Sequence, residues 1–554
     1  MWRVVIGCLL VVVSDLLCSA KDHLPQDRGE LKRLFPVTII HMNDLHARFE
    51  ETSSKSSKCK KDDTCIAGVA RIHTTVTSLR SEYHDRTPLF LNAGDNYQGT
   101  IWYNYHRWKV VAKCMEFLRP DAMTLGNHEF DDGLDGLVPY LKHLRTKRIQ
   151  TLAANLIDRS QRLPRLPRGM ILNRNNRSIG IIGVVYDKTN EVSKTESVVF
   201  SSSIATVRNG ARKLKEKGVH IIIVLSHCGL EVDKQMAREA GDHVDVIVGG
   251  HSHSFLFSPR SGRPYNREDP ILGDYPLVVQ NANGRKILVV QAYAYGKYIG
   301  RLTTYFDAAG EIKYWEGYPV YLANNVTPSE DVVKALRPYR QQVEQFGSTK
   351  IAETRIDLDQ ESCRVRECRV GSVFADAIAD HFTNATFHSV ALVNAGNFRT
   401  AIPKGDITNE DAIGASPFSN SIDLLTLRGD ALWNLVEHSV VWSAAKRTNV
   451  AQVSGLKIVA NLDHGPYKRV VSIQVQDLST KEYKPLNRGA FYKVATVAFL
   501  ASGKDGFRWA LEAIDRQIGP RDSDVFVKYL KKLKVITEAN LPGGRFTISG
   551  TVRS

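Results

Sequence analysis

Long apolar runs are scarce in this chain of 554 residues. The one extended run lies between Val4 and Leu17 and is weakened by Ser14 and Asp15. A membrane span needs about 20 apolar residues, so this segment is too short to be one. Later apolar stretches, such as "HIIIVLS" and "VDVIVGG", are the length of strands. The C-terminal "PGGRFTISGTVRS" lacks the hydrophobic tail of a lipid-anchor signal, so no membrane anchor is expected. There is no internal repeat and no low-complexity tract, which excludes solenoids and tandem arrays. The net charge is +15 and the pI about 9.3, which favours anionic ligands at long range. No basic helix, aromatic-basic repeat or finger spacing accompanies that charge, and no nucleic-acid partner is expected. Cysteines number eight, and no pair has the two-residue spacing of a usual structural zinc knot.

What is present begins with a short basic start, Met1-Trp-Arg3, ahead of the apolar run. Cys18-Ser-Ala20 follows it and resembles a signal-peptidase site. A cleaved secretory signal over 1–20 is therefore predicted, and with it a secreted, extracellular protein. Three sequons fit that compartment, at Asn176, Asn325 and Asn384. Cys59 with Cys65, and Cys363 with Cys368, each flank a short charged loop and read as local disulfide staples. Cys114 and Cys228 either pair or stay free.

The N-terminal half alternates strands with amphipathic helices. Strands are predicted over 36–41, 88–92, 121–124, 150–154, 178–184, 219–225 and 244–248. Helices are predicted over 68–82, 105–118 and 202–217. Runs such as "SIGIIGVV" read as strands buried on both faces, which predicts sheets flanked by helices. Ser329–Gly347 reads as one long helix, with Pro338 as a possible bend, bridging to a mixed α+β region.

Five of the strand-like runs end in the same way. "VTIIHMNDLH" runs from apolar residues into Asp44 and His46. "LFLNAGDNYQG" leads to Asp95, and "DAMTLGNHEFDDG" to Asn127, His128 and Asp131. "HIIIVLSHCG" reaches His227, and "VDVIVGGHSHSF" reaches His251 and His253. A single histidine beyond a strand is more often structural than a ligand. Five strand ends carrying carboxylate, imidazole and amide donors point instead to a centre for two transition metals.

Asp44-x-His46, Gly94-Asp95, Gly126-Asn127-His128-Glu129, His227 and Gly250-His251-x-His253 resemble, in order, the metallophosphoesterase signature. The finer resemblance is to 5'-nucleotidases and to the salivary apyrases of blood-feeding arthropods, across nearly the whole mature chain. It implies an α/β fold. A four-layer αββα catalytic domain would occupy 34–326, a linker helix 327–347, and a mixed α+β substrate-binding domain 348–554. It also implies two divalent ions. Asp44, His46, Asp95 and His253 would hold one; Asp95, Asn127, His227 and His251 would hold the other, with Asp95 bridging. Such a pair activates water for in-line attack on phosphorus. His128 would stabilise the phosphoryl group and Asp131 would orient it, the alternative for His128 being a residue that merely orients ligands. Ligand type allows zinc, manganese or cobalt in the site, with calcium or magnesium also possible for activity.

The C-terminal half contains Arg364, Asn394, Arg399, Phe418, Phe499 and Asp505. On composition alone the two phenylalanines are more often core residues. The resemblance makes them the pair that sandwiches a nucleotide base. It gives Asp505 the ribose hydroxyls and Arg364 and Arg399 the phosphate oxygens, with Asn394 as a further polar contact. The implied activity is hydrolysis of extracellular ATP and ADP to AMP and phosphate, anti-haemostatic in saliva. The alternatives are a 5'-nucleotidase converting AMP to adenosine and a noncatalytic nucleotide scavenger.

Overall fold

The computed structural model describes residues 24–25, 29–56, 58–59, 63–384, 387–418, 420–441, 449–477 and 480–550. The predicted signal over 1–20 lies outside them. Two six-stranded sheets form the N-terminal half. Their strands, in chain order, are β1 (Phe35–Met42), β2 (Pro88–Asn92), β3 (Ala122–Thr124), β4 (Thr151–Leu152), β5 (Gly169–Arg174), β6 (Arg177–Val185), β7 (Ile221–His227), β8 (Val246–Val248), β9 (Leu277–Gln280), β10 (Lys286–Val290), β11 (Tyr298–Phe306) and β12 (Ile312–Tyr321).

The first sheet has the order β12-β11-β1-β2-β3-β4, with β1 to β4 parallel and β11 antiparallel to β1. The second has the order β9-β10-β8-β7-β6-β5, with β6, β7, β8 and β10 parallel. Period-two alternation along β1 sends Val37 and Ile39 into the core between the sheets and Ile40 and Met42 to the opposite face. That opposite face is covered by helices Val69–Glu82, Trp108–Leu118 and Gly133–Thr146, and by Val332, Leu336 and Val343 of helix Glu330–Gly347. The second sheet is covered by helices Ser203–Glu216 and Leu230–Ala240, through Val207, Ala211, Met236 and Ala237. The result is the expected helix-sheet-sheet-helix stack, in which parallel strands buried on both faces read as unbroken apolar runs.

One helical expectation is corrected. The segment 105–118 is not a single helix: Ile101–His106 and Trp108–Leu118 are separated at Arg107, whose φ is 55°. The break lets the Arg107 guanidinium reach Asp132 at 3.5 Å and Asp524 at 3.2 Å, contacts that a continuous helix would not direct there. His227, expected just beyond its strand, is the last residue of β7.

The C-terminal half is mixed α+β. A five-stranded sheet has Val390–Val393, Phe491–Val497 and Ser421–Arg428 as its three inner strands. Helix Arg369–Phe382 buries Val370, Val373, Phe374 and Ile378 in the same core as Leu424, Leu425, Val494 and Val497. Disulfides join Cys59 to Cys65 and Cys363 to Cys368, while Cys114 and Cys228 are buried free thiols.

Candidate metal centre and nucleotide site

Parallel strands place their C-terminal ends on one edge, and there the loops converge. The Asp44, Asp95 and Asn127 loops leave β1, β2 and β3; His227 closes β7; the 250–254 loop leaves β8. Among the described residues, three overlapping groups of side chains could hold a metal ion: Asp44, His46 and His253; His46, Asp95 and His128; Asp95, His227 and His251. Asn127 Oδ1 lies 2.8 Å from His251 Nδ1, which brings the amide into the same cluster.

The donor set behaves as a cation site should. The Nε2 atoms of His46 and His253 face one another at 2.9 Å, and His253 Nε2 is 3.4 Å from Asp44 Oδ1. His227 directs Nδ1 at the Ala93 carbonyl oxygen, 2.6 Å away, which leaves Nε2 aimed at Asp95 Oδ2 at 3.0 Å. Burial holds the His46 and His251 imidazoles down at about 3 and about 4, so both are neutral, the form that binds metal. Burial penalises the Asp95 carboxylate, but His227, His128 and His46 outweigh it and hold Asp95 well below the usual range. Burial alone would lower His227, yet Asp95 and Asp44 raise it to about 9.

His128 is built differently. Its Nδ1 lies 2.7 Å from Asp131 Oδ2, and its backbone N–H donates to Asp95 Oδ1 at 2.9 Å. Burial lowers this imidazole, but the Asp131 and Asp95 carboxylates outweigh that and raise it to about 10. The half-buried His128 is thus electrostatically favoured to carry a proton at the edge of the donor cluster.

Several further residues, to which the sequence reading gave no role, complete the site. Glu129 is fully buried and accepts from the backbone N–H groups of Asp95 (3.0 Å), Asn96 (2.7 Å) and Gly126 (2.6 Å), tying two loops together. Asn43 donates to Asp44 Oδ2 at 2.7 Å and accepts from the Ala292 N–H at 2.8 Å. Tyr186 stacks on His251 at 4.9 Å. Tyr295 lies 5.8 Å from His46 and 5.4 Å from His253, with Arg48 at 4.6 Å over its ring. Only Glu129 could have been suspected, from its place beside His128.

Among the C-terminal candidates, Phe418 and Phe499 are 40% and 39% exposed. That is unlike core phenylalanine and suits a stacking surface. The Arg399 guanidinium lies 5.0 Å over the Phe418 ring. Asn394 Nδ2 donates to Asp505 Oδ2 at 3.4 Å, and Asp505 sits at φ 53° in a turn with Gly503 and Gly506. Arg364 is exposed at the end of the short helix Glu361–Arg364, beside the Cys363–Cys368 disulfide. Gln98, three residues after Asp95, donates to the Phe418 carbonyl oxygen, so the aromatic loop touches the metal-cluster loop. Beside it, Asp132 meets Arg521 at 3.0 Å, and Arg521 meets Asp524 at 3.0 Å.

The calcineurin-like phosphoesterase family matches residues 37–255, and the 5'-nucleotidase C-terminal domain family matches residues 346–512. Apyrase of Aedes albopictus is 47% identical over 97% of this chain and 97% of its own length. The chain belongs to the 5'-nucleotidase and apyrase family of metallophosphoesterases. Human 5'-nucleotidase is 36% identical, over 91% of this chain and 89% of its own length. The solved 5'-nucleotidase precursor of Thermus thermophilus is 34% identical, with a TM-score of 0.65 over 93% of this chain and 99% of its own. The candidate metal-holding side chains lie within the first matched segment and the exposed phenylalanines within the second.

Proposed function

We propose that the protein is a secreted apyrase that removes the terminal phosphates of ATP and ADP. The observation that carries the reading is the chain of three overlapping donor groups, joined through His46 and Asp95, with His128 held by Asp131 at 2.7 Å within it. Asp44, His46, Asp95 and His253 would hold one divalent ion; Asp95, Asn127, His227 and His251 would hold the other. Carboxylate, imidazole and amide donors suit zinc or manganese, with calcium or magnesium as exchangeable alternatives. When bound, the two ions supply an activated water and neutralise phosphoryl charge.

The chain's own residues do the rest. His128, fixed by Asp131, presents Nε2 as a preorganised donor to the phosphoryl and leaving oxygens. Phe418 and Phe499 stack the base, Asp505 with Asn394 takes the ribose side, and Arg364 and Arg399 take phosphate oxygens. The link from Gln98 to Phe418 supports coupling between base capture and the metal loop. Two disulfides support an oxidising, extracellular compartment, and the exposed Asn176, Asn325 and Asn384 are proposed glycosylation sites.

A 5'-nucleotidase acting on AMP uses the same residues, and the 36% identity to human 5'-nucleotidase favours testing it directly. Phosphate release from ATP, ADP and AMP across several divalent ions separates the readings. Turnover of ATP and ADP with little from AMP supports the apyrase. AMP as the sole substrate supports the nucleotidase. No release with any nucleotide would leave a scavenger.

A further inference from the structure

The 250–254 loop carries two of the proposed ligands in a costly conformation. His251 has φ 75° and His253 has φ 49°. Left-handed backbone at a residue other than glycine is strained and persists only where the surroundings over-determine it. Gln291 does this from behind. It is fully buried, in the first position after β10. Its Nε2 donates to the Gly250 carbonyl oxygen at 3.1 Å. Its Oε1 accepts from the Ser254 N–H at 3.0 Å and from the Ser252 hydroxyl at 3.2 Å. One side-chain amide therefore clasps both ends of the segment that contains the two histidines.

The clasp is continuous with the rest of the site. Ser252 Oγ accepts from the Leu230 N–H at 2.9 Å, three residues after His227. Ala292, next to Gln291, donates to Asn43, whose amide holds Asp44. Gly249 makes room for the amide: a Cβ there would meet Gln291 Nε2 at 2.9 Å and Asp233 Oδ2 at 2.2 Å.

We propose that Gln291 is a positioning residue that holds the His251 and His253 imidazoles against Asp44 and Asn127, and thereby sets the affinity of the centre for divalent ions. The proposal rests on the two-metal reading. Groups that orient metal ligands from outside are worth about 10–100-fold in metal affinity or activity.

The test is calorimetric titration of chelator-stripped full-length protein with Mn²⁺, alongside thermal unfolding of the stripped protein. Gln291→Leu removes both hydrogen-bonding ends at similar size. Gln291→Glu keeps an acceptor for Ser254 but turns an oxygen toward the Gly250 carbonyl. Both should bind Mn²⁺ about 10–100-fold more weakly. Turnover of ADP should recover as Mn²⁺ is raised, with KM for ADP unchanged. Leu288→Ala, a core change in β10, should lower the unfolding temperature of the stripped protein without altering the Mn²⁺ titration. Wild-type Mn²⁺ affinity in both Gln291 variants overturns the proposal. If Gln291→Leu does not fold, Gln291→Glu alone decides. Absence of Mn²⁺ binding by the unmutated chain would overturn the two-metal reading itself, a distinguishable result.

Discussion

If Asp131 acts through His128, removing both should cost no more than removing His128 alone. The geometry supplies the premise, since Asp131 Oδ2 meets His128 Nδ1 at 2.7 Å and Asp131 is in none of the metal-holding groups. Loss of one preorganised donor costs about 10²–10³-fold in kcat, so that is the expectation for His128→Ala. Asp131→Asn keeps the shape but loses the charge that orients and supports the imidazolium, and about 10–10²-fold is expected by analogy with other orienting partners. Independent effects would multiply to about 10³–10⁵ in the double variant; residues acting as one unit would leave it at about 10²–10³. The assay is steady-state ADP hydrolysis for all four proteins, with bound metal measured in each. A multiplicative double variant refutes the coupling. Loss of metal from His128→Ala would place that residue among the ligands, consistent with its membership of the group with His46 and Asp95.

Asp95→Asn should remove nearly all turnover and lower metal content in elemental analysis; full activity in chelated protein would contradict the centre. Stripping the ions should lower the unfolding temperature, because an ion at 100 times its Kd stabilises by about 2.7 kcal/mol; an unchanged transition with the ions demonstrably gone would contradict it. The Phe418→Ala/Phe499→Ala pair should raise KM for ADP strongly, since stacking is worth about 1–3 kcal/mol per base, and should spare a baseless ester such as p-nitrophenyl phosphate; wild-type KM for ADP would remove both residues from the base site. The pH dependence has a definite sign. Burial lowers His128 while Asp131 and Asp95 raise it, so the imidazolium persists at neutral pH and is lost as pH rises. Asp131→Asn removes the larger support, so the alkaline limb of kcat should move to lower pH; an unmoved or raised limb would count against a protonated His128.

The strand ends were legible because the chemistry interrupts a strong pattern. β1, β7 and β8 are buried apolar strands, and each passes directly into Asp44, His227 or the Gly250-His251 turn. One such residue would have a structural explanation, but the recurrence of carboxylate and imidazole donors at five strand ends does not, which is why the donor cluster was legible in the sequence. The Arg107 break was not legible. No proline or glycine in "YNYHRWKVV" marks a break, and the acidic partners of Arg107, at 132 and 524, are far away in sequence. Asn43 and Gln291 were hidden for a related reason. Each is anchored through backbone groups far away in sequence, the Ala292 N–H for Asn43 and the Gly250 carbonyl and Ser254 N–H for Gln291, and such partners leave no trace in the identity of neighbouring residues. Phe418 and Phe499 were ambiguous until their exposure showed that no core claims them.

The cost of this site is concentrated in its backbone. Asp44, His46, Asp95, His251 and His253 all have positive φ, between 47° and 75°. A turn in that conformation reverses the chain just past the strand and points a side chain back over the sheet edge. At about 1–3 kcal/mol each, such residues together rival the net stability of an ordinary domain. They are held because the groups beneath them are buried and polar: Glu129 under Asp95, Asn43 beside Asp44, Gln291 behind both terminal histidines. Each would be expensive to bury unpaired and is nearly free once paired. The same loops hold two carboxylates and several imidazole lone pairs at close range, an arrangement that repels itself without positive charge. Backbone strain and donor repulsion therefore point the same way. The donor groups and the hydrogen-bonded residues beneath the loops together form a site preorganised for cations.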